Sequence, residues 1–268
     1  MKELICASAL ALGVWAAVGP AAAAETYVLY DDFSASTLNP ARWQDAERSR
    51  ILTGTNLRMA ARDWGSTVSD SLGTSITWSE SLARVGGMTQ LRALMKVTAI
   101  DMTGCVANAT ATSVRGRVIG SFFNAGNRAA GSSVGDVLAQ VWAIRASNSV
   151  DAPGVLRVEG WVGICTTSDC SSSNQIGTTV PLGTVNVGTN VTMQVDWDRA
   201  NKQFLFSRDK GAVTAMSYAG FDDSADPGVP FKQVGTRTTV ANCASGPRTF
   251  GFIDARFDNV QVNSTAKP

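Results

Sequence analysis

Three side chains that can do chemistry stand at every second position of the segment Val155 to Cys165: Arg157, Glu159 and Trp161. In an extended strand, period two puts them on one face, with Leu156, Val158, Val162 and Ile164 on the other. An exposed Trp stacks on the apolar face of a sugar ring, while Arg and Glu beside it hydrogen-bond the hydroxyls. Arg92 and Lys96 share a parity in a second alternating segment, and Arg115 and Arg117 in a third. If those strands pack in one sheet, the basic side chains join the same face and favour an acidic glycan. The alternative is an ordinary solvated face, with Trp161 half-covered by a loop.

Composition removes several other chemistries. The chain has no histidine. Ser-His-Asp and Cys-His catalysis in their ordinary forms are therefore excluded, and so are histidine-ligated zinc and iron sites. Asp196 and Asp198 share a face, but they run into a turn, where capping and solvation account for them. The net charge is +1, so no bulk field points to nucleic acid as a partner. Cys6 lies within an N-terminal leader, which leaves Cys105, Cys165, Cys170 and Cys243. An even count in an exported chain reads as two disulfides, and four cysteines allow three pairings. Cys165 and Cys170 are close enough to clip their own loop, leaving Cys105 for Cys243.

That leader is MKELICASALALGVWAAVGPAAAA, residues 1–24. It has Lys2 in front, an apolar run from Leu4 to Val18 and an A-x-A end. It reads as a secretory signal cleaved before Glu25, so the protein is expected to be secreted or periplasmic. No later stretch is long and apolar enough to span a membrane as a helix.

The remainder, 25–268, reads as one domain of short strands separated by turns. Tyr27 to Leu29, Ile51 to Met59, Ser66 to Trp78, Thr89 to Ile100 and Val114 to Phe123 are strand segments by alternation and composition. Asp136 to Ala146 is apolar on both parities, which predicts a central strand and puts Trp142 in the core. Val191 to Asp198 and Phe204 to Ser207 form a hairpin, and Phe231 to Cys243 and Phe250 to Val262 close the chain. Trp43, Trp64, Trp78 and Trp197 read as packing residues, and Ser171 to Asn174 as an extension of the cysteine loop. More than ten short strands without a long amphipathic helix predict an all-β, two-sheet antiparallel sandwich.

The opening YDDFSASTLNPARW, the closing FDNVQV and the hairpin VTMQVDWDRANKQFLFSRDKG resemble stretches of the concanavalin A-like lectin/glucanase superfamily, the LamG-like jelly rolls. The resemblance implies two antiparallel sheets, one concave, with the terminal strands adjacent. It also implies either a glycan-binding module or a polysaccharide-cleaving enzyme. The glucanase branch carries E-x-D-x-x-E or E-x-D-x-E on one strand, which sets two carboxylates on one face. Glu25, Glu47, Glu80 and Glu159 lie in no such pattern. The lyase branch leans on His, Tyr, Arg and Gln, and histidine is absent here. The expected function is thus an exported, non-catalytic carbohydrate-binding protein. A hydrolase or lyase with an atypical site and an adhesive surface protein are the alternatives.

Asp258 shares parity with Val260 and Val262, so strict alternation aims its carboxylate at the core, where it cannot stay unpaired. Three outcomes follow. The strand begins after Asp258 and leaves it in a solvated turn; or Arg256 or another arginine pairs with it; or calcium binds it, with oxygens from Asp31 and Asp32. Superfamily members that hold calcium where their ends meet favour the third outcome, while the lack of a D-x-D-x-D loop counts against it.

Overall fold

The computed structural model describes residues 46–71, 73–108, 110–126 and 128–266, all within one compact unit spanning 43–268. The signal segment 1–24, the expected strand at Tyr27, and Asp31 and Asp32 lie outside the described residues.

Thirteen strands are described. β1 (Ala46–Leu52), β2 (Leu57–Trp64), β3 (Thr74–Ser81), β4 (Gln90–Thr103), β5 (Ser113–Asn124), β6 (Asp136–Ala146) and β7 (Val155–Cys165) come first. β8 (Ser173–Asn186), β9 (Asn190–Asp198), β10 (Gln203–Arg208), β11 (Thr214–Ser217), β12 (Lys232–Val240) and β13 (Phe250–Val262) follow. They form a seven-stranded sheet in the order β1-β2-β13-β4-β9-β10-β11 and a six-stranded sheet in the order β3-β12-β5-β6-β7-β8. Every pairing is antiparallel. This is the two-sheet sandwich expected from the strand count and from the superfamily resemblance.

Alternation decides which side chains meet between the sheets. Leu91, Ala93, Met95 and Val97 of β4 and Val191, Met193 and Val195 of β9 face inward from the larger sheet. Val114 and Val118 of β5, Val137, Ala139, Val141 and Ala143 of β6, and Leu156, Val158 and Val162 of β7 face them from the smaller sheet. At one end, Phe122, Phe123, Phe204, Trp197 and Tyr218 fill the gap with edge-on and stacked ring contacts. Such pairs add about 1 kcal/mol each beyond the area they bury.

Several sequence expectations are corrected. Ile51 to Met59 is not one strand: it straddles the β1–β2 turn, where Thr53 N–H donates to Asn56 O at 3.0 Å and Gly54 takes φ 85°. The strand expected over Ser66 to Trp78 starts only at Thr74. Ser173 and Asn174 are the start of β8, a largely exposed strand broken by register shifts, rather than a loop extension. β11 is likewise too short and too exposed to show a period.

Asp258 does not face the core. Register shifts in β13 at Asp254/Ala255 and Asp258/Gln261 break strict alternation, so Phe257 points inward while Val260 is 42% exposed. Asp258 Oδ1 accepts the Asn259 N–H at 2.7 Å, and Asn259 takes φ 48° at this bulge. The premise of a buried carboxylate needing an ion therefore falls away. The buried carboxylates of the larger sheet are Asp254 and Asp63. Asp254 accepts a two-pronged contact from Arg58, with Nη2 at 2.7 Å and Nε at 3.0 Å. Asp63 accepts from Arg48 at 3.1 Å and from the Thr238 hydroxyl. Cys105 is joined to Cys243, and Cys165 to Cys170.

Candidate functional site

Cross-strand register sets the outer face of the six-stranded sheet, because residues directly opposite share a face. Arg237 of β12 pairs with Arg115 of β5, which pairs with Ile144 of β6 and through it with Arg157 of β7. In the next row come Gly235, Arg117, Trp142 and Glu159, and in the row after that Gln233, Ile119, Gln140 and Trp161. All are turned away from the inter-sheet core.

Trp142 is thus misplaced by the sequence reading. It is buried, but on this outer face. Its Nε1–H donates to Glu159 Oε2 at 2.9 Å, and the Arg115 guanidinium lies 4.7 Å from its ring centroid. A strand apolar on both parities hid the fact that one of its faces is covered by neighbouring side chains.

Trp161 lies across the sheet over Gly163: a Cβ at Gly163 would stand 2.0 Å from the far edge of the indole. One edge of the ring meets Trp142, with centroids 6.1 Å apart. The ring also packs with Ile119, Leu138, Phe231 and the Cys165–Cys170 pair. It stays half-buried. The covering loop that the alternative foresaw is real, and it is the clipped loop 165–170.

A groove of about 710 Å³ runs over these rows, lined by Arg117, Gln140, Trp161, Arg237, Gln233, Thr77 and the loop residues Asp169 and Ser171, among others. That volume suits a few sugar rings or another small ligand. Arg117 is 5% exposed. Its Nη1–H donates to Gln140 Oε1 at 3.3 Å and its Nη2–H to the Thr77 hydroxyl at 3.1 Å. Among the described residues neither Arg117 Nε nor Arg237 Nε has a hydrogen-bond partner. No carboxylate among the described residues forms an ion pair with Arg115, Arg117 or Arg237. Burial, with Arg237 and Arg115 adding like charge, pulls the Arg117 guanidinium well below its ordinary value. Burial and Arg237 lower Arg115 to about 10, partly offset by Glu159. Burial lowers Arg237 too. Asp169 is held down to about 2, mainly by hydrogen bonds from Ser171 and Thr167, so it is ionised at neutral pH.

Of the six predicted binding residues, Arg117 and Trp161 line the groove. Arg115 and Glu159 lie beside it, against Trp142. Arg157 is at the strand end, where its Nε–H donates to Asp151 Oδ2 at 2.7 Å. Arg92 belongs to the other sheet, on β4, where its guanidinium donates to the Gln261 side chain; Lys96 lies on the same strand. Gln140 and Arg237 were missed. The alternation Gln233, Gly235, Arg237, Thr239 was visible in the sequence, but nothing local said that it joins the strand of Arg117. Asp198 is a turn cap, accepting from Asn201 N–H at 3.2 Å and from Gln203 Nε2 at 2.8 Å. No described helix is long and apolar enough to cross a membrane.

No family model and no curated protein matches the chain. Among solved structures it is similar to LamAcat from Zobellia galactanivorans, at TM-score 0.36 and 7% identity over 78% of this chain and 80% of that one. An alginate lyase from Alteromonas sp. 272 gives TM-score 0.34 and 10% identity over 81% and 95%. The exoplasmic/lumenal domain of VIP36, in a Ca2+/Man3GlcNAc-bound form, gives TM-score 0.32 and 10% identity over 82% and 84%. Scores of this size assign no function to the chain.

Proposed function

We propose that the protein is an exported, non-catalytic carbohydrate-binding sandwich, and that its groove takes an acidic glycan, one bearing uronate carboxylates or sulfates. One observation carries the reading: Arg117 is buried beside Arg115 and Arg237 with no carboxylate among the described residues in an ion pair with it, next to the half-buried Trp161 ring. A cation held in that way costs several kcal/mol unless something negative reaches it. An anionic sugar in the groove supplies the missing charge to Arg117 and Arg237, which both line it, while its ring lies on the indole. The ionisable groups that line the groove are Arg117, Arg237 and the loop carboxylate Asp169. Asp169 alone is not the pair of carboxylates that glycoside hydrolysis uses. The two disulfides support an oxidising compartment.

The test is calorimetric titration with oligosaccharides of a polyuronate, a sulfated glycan, a neutral glucan and a neutral mannan. Binding confined to the acidic members, weakening with salt and weakened at least tenfold by Arg237→Gln, is the expected result. Equal affinity for neutral chains would overturn the proposed charge recognition. The same mixtures, followed for unsaturated or reducing ends, separate a binding module from a lyase or hydrolase.

A further inference from the structure

At the end of the sandwich where the aromatic cluster lies, a second cavity of about 470 Å³ opens. It is distinct from the groove. Its walls include Phe122, Trp197, Met88 and Pro230, and Lys232 reaches into it. Lys232 is 3% exposed. Its ammonium donates to the Ser121 carbonyl and sits 4.1 Å from the centroid of the Phe122 ring. An ammonium has three N–H donors, and no carboxylate among the described residues forms an ion pair with this one. Of the two carboxylates on the cavity wall, Asp226 is exposed and Asp223 is taken. It accepts from the Tyr218 hydroxyl at 2.8 Å, and Arg199 and Lys202 lie 3.8 and 3.5 Å from it. Burial alone lowers Lys232 to about 8.

The chain makes room for this lysine. Lys232 pairs across the sheet with Gly120, and a Cβ at Gly120 would lie 2.2 Å from Lys232 Cδ. The stem therefore lies flat over a glycine and carries its charge to the cavity, rather than out to solvent.

A single buried cation in an aromatic and proline-walled cavity, whose other charged residues are the exposed Arg128, Arg199 and Asp226 and the already paired Asp223, matches one ligand chemistry. We propose that this cavity is a second binding site, for a small organic monoanion: a carboxylate that pairs with Lys232, on an apolar body that packs against Phe122, Trp197 and Pro230. A phosphate dianion would bring a second charge that no deep cation answers. A neutral ligand would leave the ammonium unpaired. The site is independent of the glycan groove, so either can fail without the other.

Calorimetry and ligand-detected saturation-transfer NMR on the full protein test it, with phenylacetate, hexanoate and the neutral isostere phenylacetamide. The expected result is saturable binding of at least one acid, with phenylacetate bound at least tenfold more tightly than its amide. Lys232→Met is expected to abolish that preference, and Arg237→Gln, in the groove, to leave it unchanged. The amide comparison needs no variant, so it stands even if Lys232→Met perturbs the fold. Three results would overturn the proposal: no saturable binding of either acid, equal binding of phenylacetate and its amide, or equal phenylacetate binding by wild type and a folded Lys232→Met.

Discussion

At Trp161 the ring that would stack on a sugar is also part of a packing cluster with Ile119, Leu138, Phe231 and the Cys165–Cys170 pair. Its loss should therefore be felt twice. Trp161→Ala is expected to weaken acidic-glycan binding about tenfold, which is ~1.4 kcal/mol. It is also expected to lower stability by roughly 1–2 kcal/mol, since a half-buried aromatic leaves its neighbours uncovered. Titration and denaturant unfolding of the same variant read the two effects separately, and a stability unchanged from wild type would contradict the packing. Lys232 gives the opposite case. Its folded-state value near 8 lies below the ordinary 10.5 of a lysine. The unfolded chain thus holds the extra proton between those values, and stability attributable to Lys232 rises as pH rises from 8 toward 10. Below pH 8 the full penalty is present, on the order of 3 kcal/mol. Lys232→Met should therefore melt above wild type at pH 7, and the gap should narrow by pH 10. A variant that melts below wild type at pH 7 would contradict this. The difference between the two proteins removes Tyr218, which burial pushes up to about 12 and which acts with the opposite sign above pH 10.

Among the elements, β6 does more than pair strands. Its first residue, Asp136, is fully buried and accepts from Gly228 N–H at 2.7 Å, Val229 N–H at 2.9 Å and Asn124 Nδ2 at 2.8 Å. Those bonds pin the segment leading into β12. That segment places Val229 on the groove, and Pro227 and Pro230 on the second cavity. Asp136→Ala removes the acceptor of the Gly228 and Val229 N–H groups and one of the partners of the Asn124 amide, which keeps the Val134 carbonyl, and is expected to cost roughly 3–5 kcal/mol. Asp136→Asn, which keeps the shape and one acceptor oxygen, should cost less. Urea unfolding of the pair checks the order, and an alanine variant as stable as the asparagine one would contradict it.

Over the whole molecule, the two disulfides constrain very different lengths of chain. Cys105–Cys243 closes a separation of 138 residues and ties the β4–β5 connection to the β12–β13 connection. Cys165–Cys170 closes only 5. Chain-entropy scaling gives about 5 kcal/mol for the long loop and about 2 for the short one. Replacing Cys105 and Cys243 by serine should therefore lower the melting temperature markedly more than replacing Cys165 and Cys170. The second pair has another role, because its loop brings Asp169 and Ser171 to the groove and packs on Trp161. Its removal should show mainly in glycan affinity. Equal losses of stability in both double variants would contradict the assignment.

The sequence alone determined the class of fold and much of its strand content. β6, β7 and β13 have the bounds that the sequence reading predicts: β7 alternates strongly and β6 is one apolar run, both local signals. The exclusion of histidine chemistry is likewise a matter of composition. What the tertiary structure decided is which strands are neighbours. Arg92 and Arg117 look equivalent in the sequence, yet β4 and β5 lie in opposite sheets. Arg237 and Arg117 are 120 residues apart in the chain and share a groove, since β12 inserts between β3 and β5. Sheet order comes from long-range pairing, and each strand's own pattern carries no record of its partner. The same limit explains Asp258: two bulges in β13 reset the alternation, and only the partner strand shows where. It also explains Lys232, which lies on a strand where Gly120 opposite it lets its stem turn into the second cavity.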